Sequence, residues 1–284
     1  MAVSVSRVGY PRWLSQMGEA FRGVFLANRS ALRLLSLVIF FGVWQLLCAI
    51  KFNFFINFQF VPSPVEVLKA TLTFFASSPW VHFRSSIMRV LIGFGLATCL
   101  GVLVGVLIGW FAAIEDLLLP PLELLRPIPA VAWIPLAILM FPNAESGMVF
   151  LTFVGAFFPI LISTINGVES TLSDTVLMRV GQCLGAKPWH TFKDIVVPGS
   201  LPSIASGLSI GMGNAWFCLV TAEILAGRYG IGYITWESYV TSNYPPIVMG
   251  MLLMGLLGAF SSWAVSRGMG ALMPWRVVKK QGSV

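Results

Sequence analysis

Long stretches almost free of charge set the limits on what this chain can fold into. The first, residues 31–50, carries a single ionised side chain, Arg33. At about 1.5 Å per helical residue it is long enough to cross a hydrocarbon core. Further apolar runs occupy 87–111, 128–141, 148–168, 204–225 and 247–265, which predicts an all-α, polytopic membrane protein of about six spans. Only 10% of the 284 residues are charged and 57% are apolar, whereas a soluble domain carries roughly 25% charged residues. Too few charges remain to cover a water-facing surface, which excludes a cytosolic enzyme, a nucleic-acid binder and a disordered segment. The first 30 residues hold arginines but no early apolar stretch and no small-residue cleavage site, so run 31–50 is expected to stay as a span.

Orientation follows from Lys and Arg. With the N-terminus inside, one side holds Arg7, Arg12, Arg22, Arg29, Arg33, Arg126, Arg179, Lys187, Lys193, Arg267, Arg276, Lys279 and Lys280. The other holds Lys51, Lys69, Arg84, Arg89 and Arg228, a count of thirteen against five that favours both termini in the cytoplasm. The third run is short and crowded by Pro127, Pro129 and Pro135, which suits a broken helix lining a cavity. Gly101, Gly105 and Gly109 recur every fourth residue, and Ser203, Gly207 and Gly211 repeat the spacing, as expected of faces where helices approach closely. Cys48, Cys99, Cys183 and Cys218 have no paired spacing and read as small buried apolar side chains.

Two segments outside the spans carry local signals. Ser63 and Glu66 have capping-box spacing, Pro64 suits a first helical position, and Val65, Leu68, Leu72 and Phe75 make an apolar stripe, so a short amphipathic helix is expected at the outer face. Residues 169–200 are polar enough to be solvated. Within them Val176, Leu177, Val180 and Leu184 fall on one helical face, and Gly185 is placed to end that helix in the left-handed conformation. Pro188 can open a second short helix carrying Trp189, Phe192 and Ile195, which Pro198 would limit. Aromatic side chains at helical spacing in a solvated loop either tuck against the spans or dock into another protein.

Gly185, Ile195 and Pro198 have the G-x9-I-x2-P spacing of the cytoplasmic loop of ABC-transporter permeases, and the chain resembles that family here. The run through Leu184, Ala186, Trp189, Phe192 and Val197-Pro198-Gly199-Ser200-Leu201-Pro202 is similar to the nitrate/sulfonate/bicarbonate (taurine-type) importer permeases. So are Pro62-Ser63-Pro64, the stretch from Arg126 to Pro135, Gly155-Ala156-Phe157-Phe158-Pro159-Ile160, Ala222-Glu223 and Gly230-Ile231-Gly232-Tyr233. One position departs: the acidic-Ala-Ala triplet of the loop is Arg179-Val180-Gly181 here. The resemblance implies a type I importer permease fold, with a cytoplasmic segment at 1–30, a transmembrane domain at 31–268 and a cytoplasmic tail at 269–284. It implies a multi-pass inner (plasma) membrane subunit that passes a small anionic or zwitterionic solute of the taurine/sulfonate, nitrate or bicarbonate class. Implied partners are a second copy, two ATP-binding cassette ATPases, a periplasmic or lipid-anchored solute-binding protein and membrane lipid, with no nucleic acid. The ATPase would bind ATP and Mg²⁺ and grip Arg179, Leu184, Gly185, Ala186, Trp189, Phe192, Ile195 and Pro198.

The chain itself is not expected to hydrolyse ATP or hold a cofactor. Gly181, Gly185 and Lys187 lack phosphate-loop spacing, and Pro188 stands where a Mg²⁺-binding hydroxyl is needed. His82 and His190 fall on opposite sides in this topology, and no metal-ligand spacing is present. A secondary transporter would instead show repeats with paired midplane charges, and a membrane enzyme a cluster of acids or histidines at one interface. Within the spans Glu223 stands out as an ionisable residue, expected near a wet outer end with Arg228 as a possible partner, in a gating or structural role. Trp133, Thr152, Asn214, Trp216 and Thr221 offer N–H and hydroxyl donors and join Glu223 as pathway candidates.

Overall fold

The computed structural model describes residues 29–51, 60–77 and 79–275. The expectations placed on 1–28 and on Arg276, Lys279 and Lys280 lie outside these residues. The chain divides into two units, 1–68 and 69–284. In the first, helix α1 (Arg29–Ile50) is the apolar run expected to span. Helix α2 (Pro64–Ala76) crosses the boundary, and its start is the predicted capping box. The Ser63 N–H donates to Glu66 Oε2 at 2.8 Å, and the Glu66 N–H donates back to Ser63 Oγ at 3.4 Å. Of the stripe, Val65, Leu68 and Leu72 are exposed, while Phe75 stacks on Phe83 at 5.8 Å and the Phe74 ring meets His82 and Phe83. In a membrane the apolar face is the one left for lipid, which inverts the usual reading of an amphipathic helix.

The second unit is built on three long helices: α3 (Trp80–Trp110), α6 (Ala144–Leu172) and α8 (Pro188–Ala226). Helices α3 and α6 run in the same direction with a constant register. A Cβ on Gly93 would lie 2.8 Å from Thr152, on Gly101 3.0 Å from Ile160, on Gly105 2.7 Å from Thr164 and on Gly109 2.8 Å from Val168. Each glycine thus accepts a β-branched side chain of the same face of α6, and the two backbones close up. Helix α8 runs antiparallel on another face of α6, where Gly207 receives Ser163 and Gly211 receives Ile160. Both small-residue stripes read from the sequence serve packing within one chain. Lipid gives helices no hydrophobic drive to associate, so close van der Waals contact supplies the attraction.

Helices α9 (Ile231–Val240) and α10 (Tyr244–Ala271) pack on α8. The weakest predicted span has a different form. Helix α4 (Ala112–Leu125) and the segment 130–140, a 3₁₀ turn (Ala130–Trp133) running into α5 (Ile134–Met140), meet at 85°. Arg126 keeps a helical conformation at the end of α4, and Pro127 and Pro129 beyond it remove two backbone donors, so the helix stops there and the chain bends. Five helices are thus long and apolar enough to cross a membrane, or six when this bent pair counts as one span. The cysteine expectation holds for Cys218 alone among the four. Cys99 and Cys183 are exposed and Cys48 is half-buried.

Candidate functional site: an exposed loop helix and a membrane-depth cavity

At one end of the bundle, α6 leads into the short helix α7 (Thr175–Cys183). Asp174 caps its start, with Oδ1 accepting from the Val176 and Leu177 N–H groups at 3.1 and 3.0 Å. Its other end is a Schellman turn at Gly185, which has φ +75°. The Ala186 N–H donates to Gly181 O at 3.0 Å and the Gly185 N–H to Gln182 O at 2.9 Å. A helix fixed at both ends carries its apolar face outward: Val176, Leu177 and Val180 are exposed, and Leu184 is 82% exposed. Arg179 is also exposed, and the two ion pairs among the described residues do not involve it. Gly181 is buried; a Cβ there would come within 2.6 Å of Ile195 Cδ1, so the residue that departs from the family triplet gives room for Ile195 to close on α7.

Helix α8 begins at Pro188 and does not stop at Pro198. Residues Thr191–Val196 form a π turn in which the Val197 N–H reaches back to Phe192 O, and the α-helix then continues through Pro198. A proline removes one donor and crowds the preceding turn; the wider π turn just before it takes up that distortion. The two loop aromatics divide their roles. Phe192 packs edge-on against Trp110 of α3, centroids 5.0 Å apart, and so tucks against the spans. Trp189 stacks on Phe192 at 5.8 Å and is 66% exposed.

At the opposite end of the bundle a buried ionic network joins α3, α6, α8 and the turn after α8. Arg89 Nη1 donates to Glu223 Oε1 and to Tyr229 O, both at 2.7 Å. Its Nε and Nη2 grip Glu145 at 2.7 and 2.5 Å. Glu223 also accepts from Ser86 Oγ at 2.7 Å and from the Gly232 N–H at 2.9 Å. Arg89 and Glu223 are 3% and 1% exposed, while Glu145 is 63% exposed. Glu223 is therefore sealed from water and paired with Arg89, not with Arg228. Gly230 closes the network with φ +139°, and a Cβ there would overlap the Glu223 carboxyl. Counting charges by side puts Arg89 with the outer-face cations, whereas the structure buries it. The available signal was its position inside run 87–111, where a lone arginine costs roughly 2.5–3.5 kcal/mol in lipid unless paired, and Glu223 is an acid in another span.

Between these ends, residues of the α4–α5 bend face α6 and α8 across a cavity of about 500 Å³. Asn214, Arg126, Val131, Phe158 and Cys218 are among its walls. The other pathway candidates lie elsewhere. Thr152 is buried against Gly93, its hydroxyl donating to Met148 O at 2.8 Å, and Trp216 is buried with Nε1 donating to Ser261 Oγ at 2.8 Å. Trp133 packs edge-on against Phe150 and its buried indole N–H has no partner among the described residues. The Thr221 hydroxyl donates to Phe217 O at 3.0 Å. Asn214 is thus the one pathway candidate on this cavity wall, and Arg126, counted among loop charges, joins it there.

Residues 97–267 match the binding-protein-dependent transport system inner membrane component family. The chain belongs to that family, the ABC-transporter permeases. A Methanocaldococcus jannaschii protein that bears the name ABC transporter permease protein is 41% identical over 174 residues. That match covers 61% of this permease and 64% of the archaeal protein, so it spans just under two thirds of that relative's length. The nitrate import permease protein NrtB of Synechocystis is 32% identical over 78% of this chain and 82% of its own length. The taurine transport system permease protein TauC of Escherichia coli is 27% identical over 88% and 91%. The permease is therefore an all-helical membrane transport component of the nitrate and taurine import family, and its match includes α7, the π turn and the cavity walls.

Proposed function

We propose that this chain is the translocation subunit of an ATP-driven importer and that α7 is its handle for the motor. Two copies line the pathway. Two ATP-binding cassette subunits, which bind ATP and Mg²⁺, dock from the cytoplasm on the 169–200 loop, and a solute-binding protein delivers cargo to the face that carries the Arg89 network. Both termini lie in the cytoplasm. The cargo is a small anionic or zwitterionic solute of the nitrate, sulfonate/taurine or bicarbonate class, in keeping with the names of the relatives.

The observation that carries this reading is the construction of α7. It is capped at both ends, yet Val176, Val180 and Leu184 stay more than half exposed among the described residues. An apolar face on a polar, membrane-adjacent loop calls for a protein groove. Trp189 extends that face, and Phe192 on Trp110 connects it to α3, so a push on the loop reaches the spans.

Co-purification tests it. Expressed together with its proposed ATPase and binding-protein partners, the chain is expected to bring the ATPase through affinity capture in mild detergent. The pair Val180→Glu and Leu184→Glu, both at exposed positions, should abolish recovery of the ATPase while the permease still accumulates in the membrane. Undiminished recovery would remove α7 from the docking surface.

A further inference from the structure

The cavity beside the α4–α5 bend is lined by a cation, Arg126, that no described residue neutralises. Its walls include Val154 to Ile162 of α6 and Ile210 to Cys218 of α8, which are the middle turns of Ala144–Leu172 and Val197–Ala226. Arg126 therefore stands at the level where a membrane-spanning helix is farthest from either surface. Among the described residues its side chain makes no ion pair and no hydrogen bond, although Glu123 lies one turn earlier, and the Asn214 amide is equally unused. Among the described residues no carboxylate lines the cavity, and Arg126 is the one ionised group on its walls.

We infer that Arg126 and Asn214 form an anion-selective station on the translocation pathway, taking a small oxoanion head such as nitrate, a sulfonate or bicarbonate. The inference rests on the importer reading and deepens it. A guanidinium presents a planar fork of N–H donors that matches two oxygens of such a group, and an amide N–H₂ supplies a further donor from the opposite wall. Arg126 closes the last turn of α4 just before the break at Pro127 and Pro129, and from there its exposed side chain lines the cavity. A lipid phosphate offers the same chemistry, but its headgroup sits at the membrane surface and Arg126 does not. The neighbouring Glu145 and Glu223 belong to the other end of α6 and α8 and are held by Arg89.

Charge-selective thiol labelling in native membranes tests the station without relying on transport. Cys48, Cys99, Cys183 and Cys218 are replaced by Ser or Ala, and Ile210→Cys, at an exposed position on the cavity wall, is reacted with sulfonatoethyl and trimethylammonioethyl methanethiosulfonates. Preference for the anionic reagent is expected, by roughly tenfold or more, the scale of a unit charge within about 10 Å at an effective dielectric constant near 20. Arg126→Gln should erase that preference and Arg126→Lys retain it. Equal rates for both reagents, no reaction with either, or a preference unchanged by Arg126→Gln would each overturn the inference; the first is also the result expected if a lipid phosphate already occupies the guanidinium. If the cysteine-free background does not accumulate, ATP-driven uptake of labelled nitrate and taurine by the assembled complex decides. Arg126→Gln should then lose at least about tenfold relative to Arg126→Lys, and equal uptake by the two overturns the station. Absence of ATP-driven uptake by the unsubstituted complex would instead count against the importer reading, with labelling unaffected.

Discussion

Replacing Arg89 with methionine removes the one cation that, among the described residues, pairs with the buried Glu223 carboxylate. Glu223 is 1% exposed and keeps two donors after the change, Ser86 Oγ and the Gly232 N–H. Those do not offset a buried charge. Breaking such a pair by deleting one partner costs about 3–5 kcal/mol. Glu145 adds little, because at 63% exposure water solvates it once Arg89 is gone. At about 2–4 °C per kcal/mol for a domain of 150–250 residues, the thermal midpoint of the detergent-solubilised chain should fall by roughly 10 °C. The assay is monodispersity after heating, followed by size-exclusion chromatography. Arg89→Met with Glu223→Gln should recover more than half of the loss, since the amide oxygen still accepts one hydrogen bond and no charge is left buried, a coupling of about 2 kcal/mol. A single variant within about 2 °C of the parent would refute the reasoning. So would a double variant as unstable as the sum of the two single changes.

Other perturbations probe separate contacts. Gly105→Val drives a branched side chain into Thr164 and the Leu161 carbonyl, 2.7 and 3.0 Å from even a Cβ, and should abolish a monodisperse chain on size-exclusion chromatography, with Gly95→Val, which faces open space, as the tolerated control. Gly185→Val places a β-branched residue at φ +75° and should lower ATP-driven uptake by an order of magnitude or more, because the Schellman turn that sets the end of α7 is lost while the spans remain; normal uptake would show the turn to be dispensable. Gly230→Ala intrudes on the Glu223 carboxyl and should lower the thermal midpoint by several degrees; a midpoint equal to the parent's would mean that the turn relaxes freely.

The parts that were legible in the sequence are those set by local chemistry. Ser63 and Glu66 form the reciprocal cap that their spacing implies, and Gly185 takes the left-handed conformation that ends α7. The stripes at Gly101, Gly105 and Gly109 and at Gly207 and Gly211 marked close approach, though not which helix would fill them; α6 supplies both partners. What stayed hidden depends on distant segments meeting. Arg89 and Glu223 are separated by 134 positions, so the pair looked like a loop cation and a wet acid. Pro198 carries a strong stop signal, yet the helix passes through it, because a π turn relieves the strain that a regular α-helix would meet. Arg126 falls between two apolar runs and so reads as a cytoplasmic charge, yet at the end of α4 it lines the cavity with residues of α6 and α8. The α2 stripe was visible but its direction was not, since a lipid-facing surface and a packed one look alike in sequence.

Site-specific photocrosslinking from position 184 examines the motor handle most directly. A photoreactive residue replaces Leu184, which is 82% exposed on α7, and a second chain carries it at Leu103, exposed in the C-terminal half of α3. In native membranes containing the assembled complex, irradiation should join position 184 to an ATP-binding cassette subunit and leave position 103 joined only to lipid or to another permease chain. Capture of the solute-binding protein from position 184, or of no ATPase in a complex where the ATPase is present, would contradict the account.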